Sequence, residues 1–166
     1  MGKALHYSSH LPVLLRALAV TDGGPVLELG TGLFSTPVLH WACAPTERRL
    51  VSLESDAKYL AFARQFETPW HEVRAVTDWD AADIEHPWDV VLVDHAPEGR
   101  RKEDIRRLAP HARLVVVHDT CGRDESHYHY REVFPLYRYA WQYARSRPRT
   151  TVLSNTMDVA RVIPRW

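Results

Sequence analysis

The chain has 166 residues, of which 45% are hydrophobic and 25% are charged, a composition typical of one globular domain. Its 21 lysines and arginines balance 21 aspartates and glutamates, so the formal net charge is zero. A nucleic-acid-binding module would carry a basic excess. We therefore expect no nucleic-acid partner.

The sequence also carries no signal for export or membrane insertion. No apolar run follows a basic start, and no uncharged stretch approaches the roughly 18 residues that span a bilayer. Cys43 and Cys121 are the only cysteines, too few for a disulfide scaffold. These observations predict a cytoplasmic protein with reduced thiols and no membrane partner.

Helical and strand patterns alternate along the chain. Helices are predicted over residues 11–20, 35–44, 55–66 and 97–109. Short runs rich in valine and leucine predict strands over 25–30, 50–55, 88–94 and 112–119, with a weaker strand over 71–76. Alternating strands and helices indicate βαβ units, and continuous apolar runs indicate strands covered on both faces of a parallel sheet.

The end of the chain predicts a different connection. Two strand-like runs, 150–155 and 159–164, are separated by only three residues, which is too short for a helical crossover. We therefore predict an α/β fold: a Rossmann-like, doubly wound, mostly parallel seven-stranded sheet with a C-terminal antiparallel hairpin. It forms a single domain over residues 1–166, with an N-terminal helix or lid (1–23) and a core (24–166).

Acidic residues close the predicted parallel strands. Glu28, Glu54, Asp78, Asp94 and Asp119 stand at or just beyond the ends of the five runs. Parallel strands end at the same edge of a sheet, and doubly wound folds bind their ligands there. Some of these carboxylates could instead cap the following helices.

The stretch "VLELGTGLFSTPVLHW" (26–41) predicts a strand, a glycine turn and a helix. Gly30 and Gly32 match a dinucleotide fingerprint, but Ser35 holds the third glycine place, and no Walker lysine follows. Glu28, two residues before the turn, disfavours a pyrophosphate and favours a cationic ligand. Glu54 stands where an acidic side chain accepts hydrogen bonds from ribose hydroxyls.

Together these residues resemble the class I S-adenosylmethionine-dependent methyltransferases. The resemblance rests on E-x-G-x-G after the first strand, the acidic end of the second, the aspartates of "VTDWD" and "VLVDHAP", and the closing hairpin. The stretch from "VDHAP" to "HDT" also resembles small-molecule O-methyltransferases. Ser35 and the turn "PHA" (110–112) depart from the family's glycines.

The resemblance implies S-adenosylmethionine as the cofactor. It places Glu28 near the cationic end, Glu54 on the ribose, Asp78 on the adenine amino group and Trp79 beside the ring. Asp94 would lie near the amino group or the methyl donor. The implied cofactor-binding residues are Glu28, Gly30, Thr31, Gly32, Ser35, Glu54, Ser55, Asp78, Trp79 and Asp94.

His95, His118 and Asp119 are the candidate catalytic residues, because they follow the fourth and fifth strands at the cofactor edge. In metal-dependent O-methyltransferases, carboxylates at these places hold Mg²⁺; here they would be Asp94 and Asp119. Thr120 is a poor match for the usual third ligand, so a metal is an option that the sequence does not favour.

The predicted function is methylation of a hydroxyl on a small molecule. Two alternatives use the same fold: a lyase or aminopropyl-transfer enzyme that consumes the cofactor differently, and a non-catalytic nucleotide-binding module. A nicotinamide-dependent oxidoreductase is disfavoured by Glu28 and by the lack of a second domain. A homo-oligomer is left open.

Overall fold

A seven-stranded sheet forms the centre of the computed structural model, which describes residues 4–121 and 125–163. In chain order, its strands are β1 (Val26–Leu29), β2 (Leu50–Glu54), β3 (His71–Ala75), β4 (Trp88–Val93), β5 (Ala112–Val117), β6 (Tyr139–Tyr143) and β7 (Thr150–Ser154). They lie in the order β3-β2-β1-β4-β5-β7-β6. Neighbours from β3 to β5 are parallel, whereas β7 is antiparallel to β5 and β6. The predicted fold class is confirmed.

Short helices connect and cover these strands. The α-helices are α1 (Ala4–Tyr7), α2 (Leu11–Ala19), α3 (Ser35–Cys43), α4 (Ala57–Ala63), α5 (Arg101–Leu108), α6 (Glu125–Tyr128) and α7 (Val159–Val162). Short 3-10 helices cover Ala44–Thr46, Arg64–Phe66, Glu98–Arg100, Tyr130–Glu132 and Phe134–Leu136. No described helix is long and apolar enough to cross a bilayer. Residues 1–3, 122–124 and 164–166, which the predicted domain includes, lie outside the described residues.

The central strands are buried on both faces, as the continuous apolar runs predict. Alternate residues of one strand enter different clusters: Leu27 packs on the side of α5, and Val26 packs on the side of α2 and α3. This period of two is the geometry of a pleated strand. Burying one such aliphatic side chain contributes about 1.5–3 kcal/mol, so both layers of helices stabilise the sheet.

The C-terminal hairpin differs from the prediction in one strand. The run at 150–155 is β7, but its partner is β6, and residues 159–162 form α7. The predicted strand over 159–164 is therefore wrong, and its last residue lies outside the described residues. Val159 and Ile163 are both buried and stand four residues apart, the spacing of one helix face.

The strand order places a switch point beside β1. The chain leaves β1 toward β2 on one side, and β4 pairs with β1 on the other. Helices leave the sheet in opposite directions at such a point, so a crevice opens beyond the carboxyl ends of the two strands. Gly30 and Asp94 follow β1 and β4 at that crevice.

Candidate functional site

A cavity of about 800 Å³ opens at the carboxyl ends of β1, β2, β4 and β5. Its wall consists of His6, Tyr7 and His10 from the N-terminal segment; Gly30, Thr31, Gly32, Leu33, Phe34 and Ser35 after β1; Glu54, Asp56 and Tyr59 after β2; Asp94, His95, Ala96, Glu98 and Arg101 after β4; His118, Asp119 and Cys121 after β5; and Tyr128, Arg147 and Pro148. Most of the sequence-predicted site residues therefore share one cavity.

Another cavity, of about 620 Å³, lies at the opposite edge of the sheet. Pro25, Pro87 and Trp88 line it at the amino ends of β1 and β4, together with His111. Parallel α/β sheets bind ligands at the carboxyl edge, and the candidate residues gather there. We therefore assign the function to the first cavity.

The glycine loop turns sharply where β1 ends. Gly30 has φ +86°, in the left-handed region that favours glycine, and its N–H donates to the carbonyl of Leu53 at 2.9 Å. The hydroxyl of Thr36 accepts from the N–H of Gly32 at 3.0 Å. The loop is therefore fixed at both glycines, and its backbone lies on the cavity wall.

Glu28 lies beneath this loop rather than on the cavity. Its buried carboxylate accepts hydrogen bonds from Thr36 at 3.0 Å and from Ser52 at 2.6 Å. Burial raises the pKa of Glu28 to about 7, although hydrogen bonds from Ser52 and Thr36 oppose the shift. Glu28 thus holds the loop through Thr36, and it is not among the residues that line the cavity, where a cationic ligand would lie.

The polar chain continues from Glu28 away from the cavity. Ser52 Oγ lies 3.0 Å from Nε2 of His71, and Nδ1 of His71 lies 3.1 Å from Nδ1 of His40. Burial lowers the pKa of His71 to about 4. Four side chains thus form a buried polar network that runs from Glu28, under the glycine loop, to His40 on α3.

Glu54 sits on the cavity wall with all its lone pairs in use. Oε2 accepts from the N–H and the hydroxyl of Thr31, at 2.7 and 3.0 Å. Oε1 accepts from the N–H groups of Ser55 and Asp56, at 2.8 and 2.7 Å. A carboxylate offers about four acceptor sites, so a ribose hydroxyl would take the place of the Thr31 hydroxyl.

Three of the predicted cofactor-binding residues, Ser55, Asp78 and Trp79, do not line the cavity. Ser55 and Asp78 are exposed, and Asp78 accepts the N–H of Asp80 at 2.9 Å. Trp79 is buried beneath His95, with ring centroids 4.2 Å apart. The chain bends after β3 and directs Trp79 into the core, because a large apolar ring gains more there than on the rim.

His95 is held by a buried carboxylate. Its Nε2 lies 2.9 Å from Oδ2 of Asp104, and Nδ1 has no hydrogen-bond partner among the described residues. Burial lowers the pKa of His95, although the charge and hydrogen bond of Asp104 oppose this shift. A neutral imidazole that donates Nε2–H to Asp104 keeps a lone pair on Nδ1, as a general base does, and this nitrogen is buried behind the cavity wall.

His118 is engaged at both ring nitrogens. Nε2 lies 2.8 Å from Oγ of Ser9, and Nδ1 lies 3.1 Å from Oδ1 of Asp94. Ser9 donates its own hydrogen to the carbonyl of Pro148, so Nε2 must donate to Ser9. Burial alone would lower the pKa of His118, but Asp94 and Asp119 raise it above its ordinary value. A doubly donating imidazolium has no lone pair, so His118 does not fit the expected role of base in this state.

Arg101 joins the ends of β4 and β5. Its guanidinium lies 3.1 Å from Oδ1 of Asp94 and 3.2 Å from Oδ2 of Asp119, and Nε donates to the carbonyl of His95. The side chain is almost fully buried and stacks over Tyr128 at 5.0 Å. Sequence reasoning predicted a helix over residues 97–109 but did not identify Arg101 as a site residue.

The Mg²⁺ position that the family resemblance offers between Asp94 and Asp119, which the sequence does not favour, does not suit these residues either. The guanidinium of Arg101 bridges the two carboxylates, so an ion held by both of them would have to displace it. Thr120 cannot serve as the third ligand, because its hydroxyl accepts from Thr151 at 2.8 Å on the far side of β5. We derive no step through Mg²⁺.

Three aromatic residues that follow β5 stack on one another instead of lining a pocket. Tyr128, Tyr130 and Phe134 stack at 4.9 and 5.1 Å and pack on the α5 side of the sheet. Tyr128 alone among them reaches the cavity wall in the described part of the chain. His10, which sequence reasoning treated only as part of the first helix or lid, is buried on the opposite wall.

No protein-family model matches the chain, and no curated protein matches its sequence. Solved structures do match in fold. Cofactor-bound Rv0187 from MTB superposes with a TM-score of 0.65 at 22% identity, over 89% of this chain and 81% of that one. The O-methyltransferase from Bacillus cereus in complex with SAH gives 0.63 at 18% identity, over 86% and 79%. The chain has the class I S-adenosylmethionine-dependent methyltransferase fold.

Spermidine synthase in complex with the transition state analogue AdoDATO shows how widely this fold is used. It superposes with a TM-score of 0.66 at 13% identity, over 98% of this chain but only 64% of that one. Within the class I methyltransferase fold, Gly30, Glu54 and Asp94 occupy the ends of β1, β2 and β4. Identity this low establishes the fold alone, and the chemistry depends on the residues of the cavity.

Proposed function

We propose that the chain is an S-adenosylmethionine-dependent methyltransferase that acts on a hydroxyl of a small molecule. The observation that carries the proposal is the meeting of the Gly30–Gly32 loop and Glu54 on one wall of a cavity that His95 also lines. A backbone loop that a ligand can approach and a carboxylate for hydroxyls suit a nucleoside, and a neutral imidazole suits proton removal.

The chain's own residues would hold the cofactor by its sugar and its amino-acid end. Glu54 would accept from the ribose hydroxyls after the Thr31 hydroxyl turns away. The loop backbone at Gly30 and Gly32 would approach the methionine part, where side chains would obstruct it. The cavity of about 800 Å³ lies within the usual range for small-molecule sites.

When bound, the cofactor would supply an electrophilic methyl group on sulfur. Methyl transfer forms an O–CH3 bond and breaks the S–CH3 bond, and the acceptor hydroxyl loses its proton. His95 would take that proton on Nδ1 while Asp104 holds the ring through Nε2. Asp119, whose φ of +57° aims its carboxylate between Arg101 and Tyr128, would orient the acceptor beside His95.

Calorimetry tests the cofactor half of this proposal. We expect S-adenosylmethionine and S-adenosylhomocysteine to bind and NAD not to bind. Binding of NAD alone would exclude the methyltransferase assignment. Product analysis after incubation with a set of small hydroxylated acceptors then tests the reaction half, because methyl transfer yields S-adenosylhomocysteine and a methyl ether.

An aminopropyl-transfer reaction is the second candidate, and the acidity of the cavity favours it. Glu54, Asp94, Glu98 and Asp119 all line the wall, and polyamine acceptors are cations. Arg101 neutralises part of this charge by pairing with Asp94 and Asp119, which is why methyl transfer is preferred. A parallel incubation with decarboxylated S-adenosylmethionine and a diamine acceptor separates the two, since aminopropyl transfer releases methylthioadenosine.

A further inference from the structure

His10 is a buried histidine whose ring nitrogens have no hydrogen-bond partner in the described part of the chain. It is 1% exposed, and neither Nδ1 nor Nε2 forms a hydrogen bond with any described residue. It immediately precedes α2, its side chain forms no capping hydrogen bond with that helix, and it lines the cavity. Burying a polar group without a hydrogen bond costs free energy. A ligand in the cavity would satisfy these nitrogens.

Two further donor groups converge on His10. The rings of His10 and His118 meet edge to face with centroids 4.7 Å apart. One ligand atom from each of His10, Asp94 and His118 lies within 4.8 Å of the others. Two imidazoles and a carboxylate from three different segments thus face one point of the cavity.

The surroundings of His118 resemble those of a metal-ligating histidine. Such residues donate their second ring nitrogen to an outer acceptor, which fixes the tautomer. Here Nε2 donates to Ser9, and Ser9 donates to the carbonyl of Pro148 at 2.9 Å. Nδ1 therefore points to Asp94, where a metal ion would replace the shared proton.

The neighbouring charges leave room for a cation. Asp94 and Asp119 contribute two negative charges, and Arg101 contributes one positive charge. With both imidazoles neutral, as histidine metal ligands are, these three charged groups leave the cluster with one net negative charge.

We propose that His10, Asp94 and His118 bind a divalent transition-metal ion such as Zn²⁺, Co²⁺ or Fe²⁺. Two imidazole nitrogens and one carboxylate select ions of this class over Mg²⁺ and Ca²⁺, which require oxygen ligands. Three protein ligands leave coordination positions open toward the cavity. The metal site stands on these residues alone. Binding of an acceptor hydroxyl or carboxylate at an open position rests, in addition, on the proposed function.

A titration with Co²⁺ tests the site in the full chain after EDTA treatment and its removal. We expect visible d–d absorption that saturates at one ion per chain, and Zn²⁺ should displace the Co²⁺. His10→Ala should weaken Co²⁺ binding by at least tenfold. His6→Ala is the matched control, because His6 lines the same cavity but lies outside the cluster. It should bind as the wild type does.

Two results would overturn the proposal: no stoichiometric Co²⁺ or Zn²⁺ binding by the wild type, or equal affinity in His10→Ala. His10→Asn, which offers a capping side chain at the start of α2, replaces His10→Ala if the alanine variant fails to fold. Calorimetry with S-adenosylhomocysteine in EDTA keeps the two proposals apart. Cofactor binding without metal binding rejects only the metal site, and metal binding without cofactor binding rejects only the methyltransferase.

Discussion

A Cβ atom on Gly30 would lie 2.5 Å from the Cα of His95 and 2.6 Å from its backbone nitrogen. The glycine that ends β1 and the histidine that follows β4 therefore touch through their main chains. Gly30→Ala should lower the free energy of unfolding by about 3 kcal/mol or more, because the methyl group meets backbone and φ is +86°. Urea unfolding measures this loss.

Gly32→Ala provides the matched comparison two residues away. Its Cβ would meet only the Oγ of Ser35, at 3.2 Å, and a serine hydroxyl can rotate. We expect a loss of less than about 1 kcal/mol. Equal losses in the two variants would mean that the contact between Gly30 and His95 does not set the strand ends.

Glu54→Gln should weaken binding of S-adenosylhomocysteine by about tenfold or more, which corresponds to about 1.4 kcal/mol. An amide cannot accept at all four positions that the carboxylate fills, so either the ribose or the Thr31 backbone loses a partner. Calorimetry gives the affinity, and melting checks the fold. Glu67→Gln, an exposed carboxylate after α4, is the control. Unchanged affinity in Glu54→Gln would remove Glu54 from the site.

His95→Ala should reduce kcat for methyl transfer by about 10²–10⁴-fold, the usual contribution of a general base.

Asp104→Asn should change the reaction indirectly, through the imidazole of His95. Since Asp104 raises the pKa of His95, its loss should move the acidic limb of the kcat/KM profile to lower pH. A rate loss without this shift would indicate a structural role for Asp104. His111→Ala, at the opposite edge of the sheet, should leave the rate unchanged.

The buried carboxylate of Glu28 should make stability fall as pH rises. Its pKa is about 7 in the folded chain, against an ordinary value of 4.5. The folded state therefore binds the proton more tightly, and the stabilisation present below pH 4.5 is lost as pH rises through about 7. The change is on the order of 3 kcal/mol.

Glu28→Gln isolates this effect, because glutamine does not titrate. Urea unfolding at pH 5 and pH 8 should show the wild type losing stability relative to the variant over this interval. His71, linked through Ser52, contributes the opposite slope below pH 6.5 in both proteins and cancels in the comparison. A constant difference between the two proteins at both pH values would contradict the raised pKa of Glu28.

The parallel strands could be predicted because burial on both faces leaves continuous apolar runs. The edge strand β6 could not be predicted in that way, since only one of its faces is covered. Tyr139, Trp141 and Tyr143 are half-buried, and the residues between them are exposed. The alternation of these aromatic residues with polar or small residues was the sequence pattern that could have predicted β6. Val159 and Ile163 carried the corresponding signal for α7, four residues apart.

The site residues that depend on strand ends were predicted, because topology alone brings Gly30, Glu54, Asp94 and His118 together. Residues that depend on side-chain direction were not. Arg101, Asp104, Ile105 and Leu108 share the buried face of α5, and this helical spacing could have shown that two charged residues point inward. The side chain of Glu28 points away from the cavity because it bonds to Ser52 and Thr36. No sequence pattern near the glycine turn reveals these hydrogen bonds.

The hydroxyl of Ser9 joins His118 to Pro148, and the carbonyl of Ser9 accepts from Ser146 at 3.0 Å. Hydrogen bonds thus link the residues before α2 to the segment between β6 and β7, which lies more than 130 residues later in the chain. Shortened versions of the protein that begin at residue 11 would keep every strand but lose this tie. We expect these shortened proteins to show a cooperative thermal unfolding transition, although one wall of their cavity would be missing. A retained fold would therefore not imply retained activity.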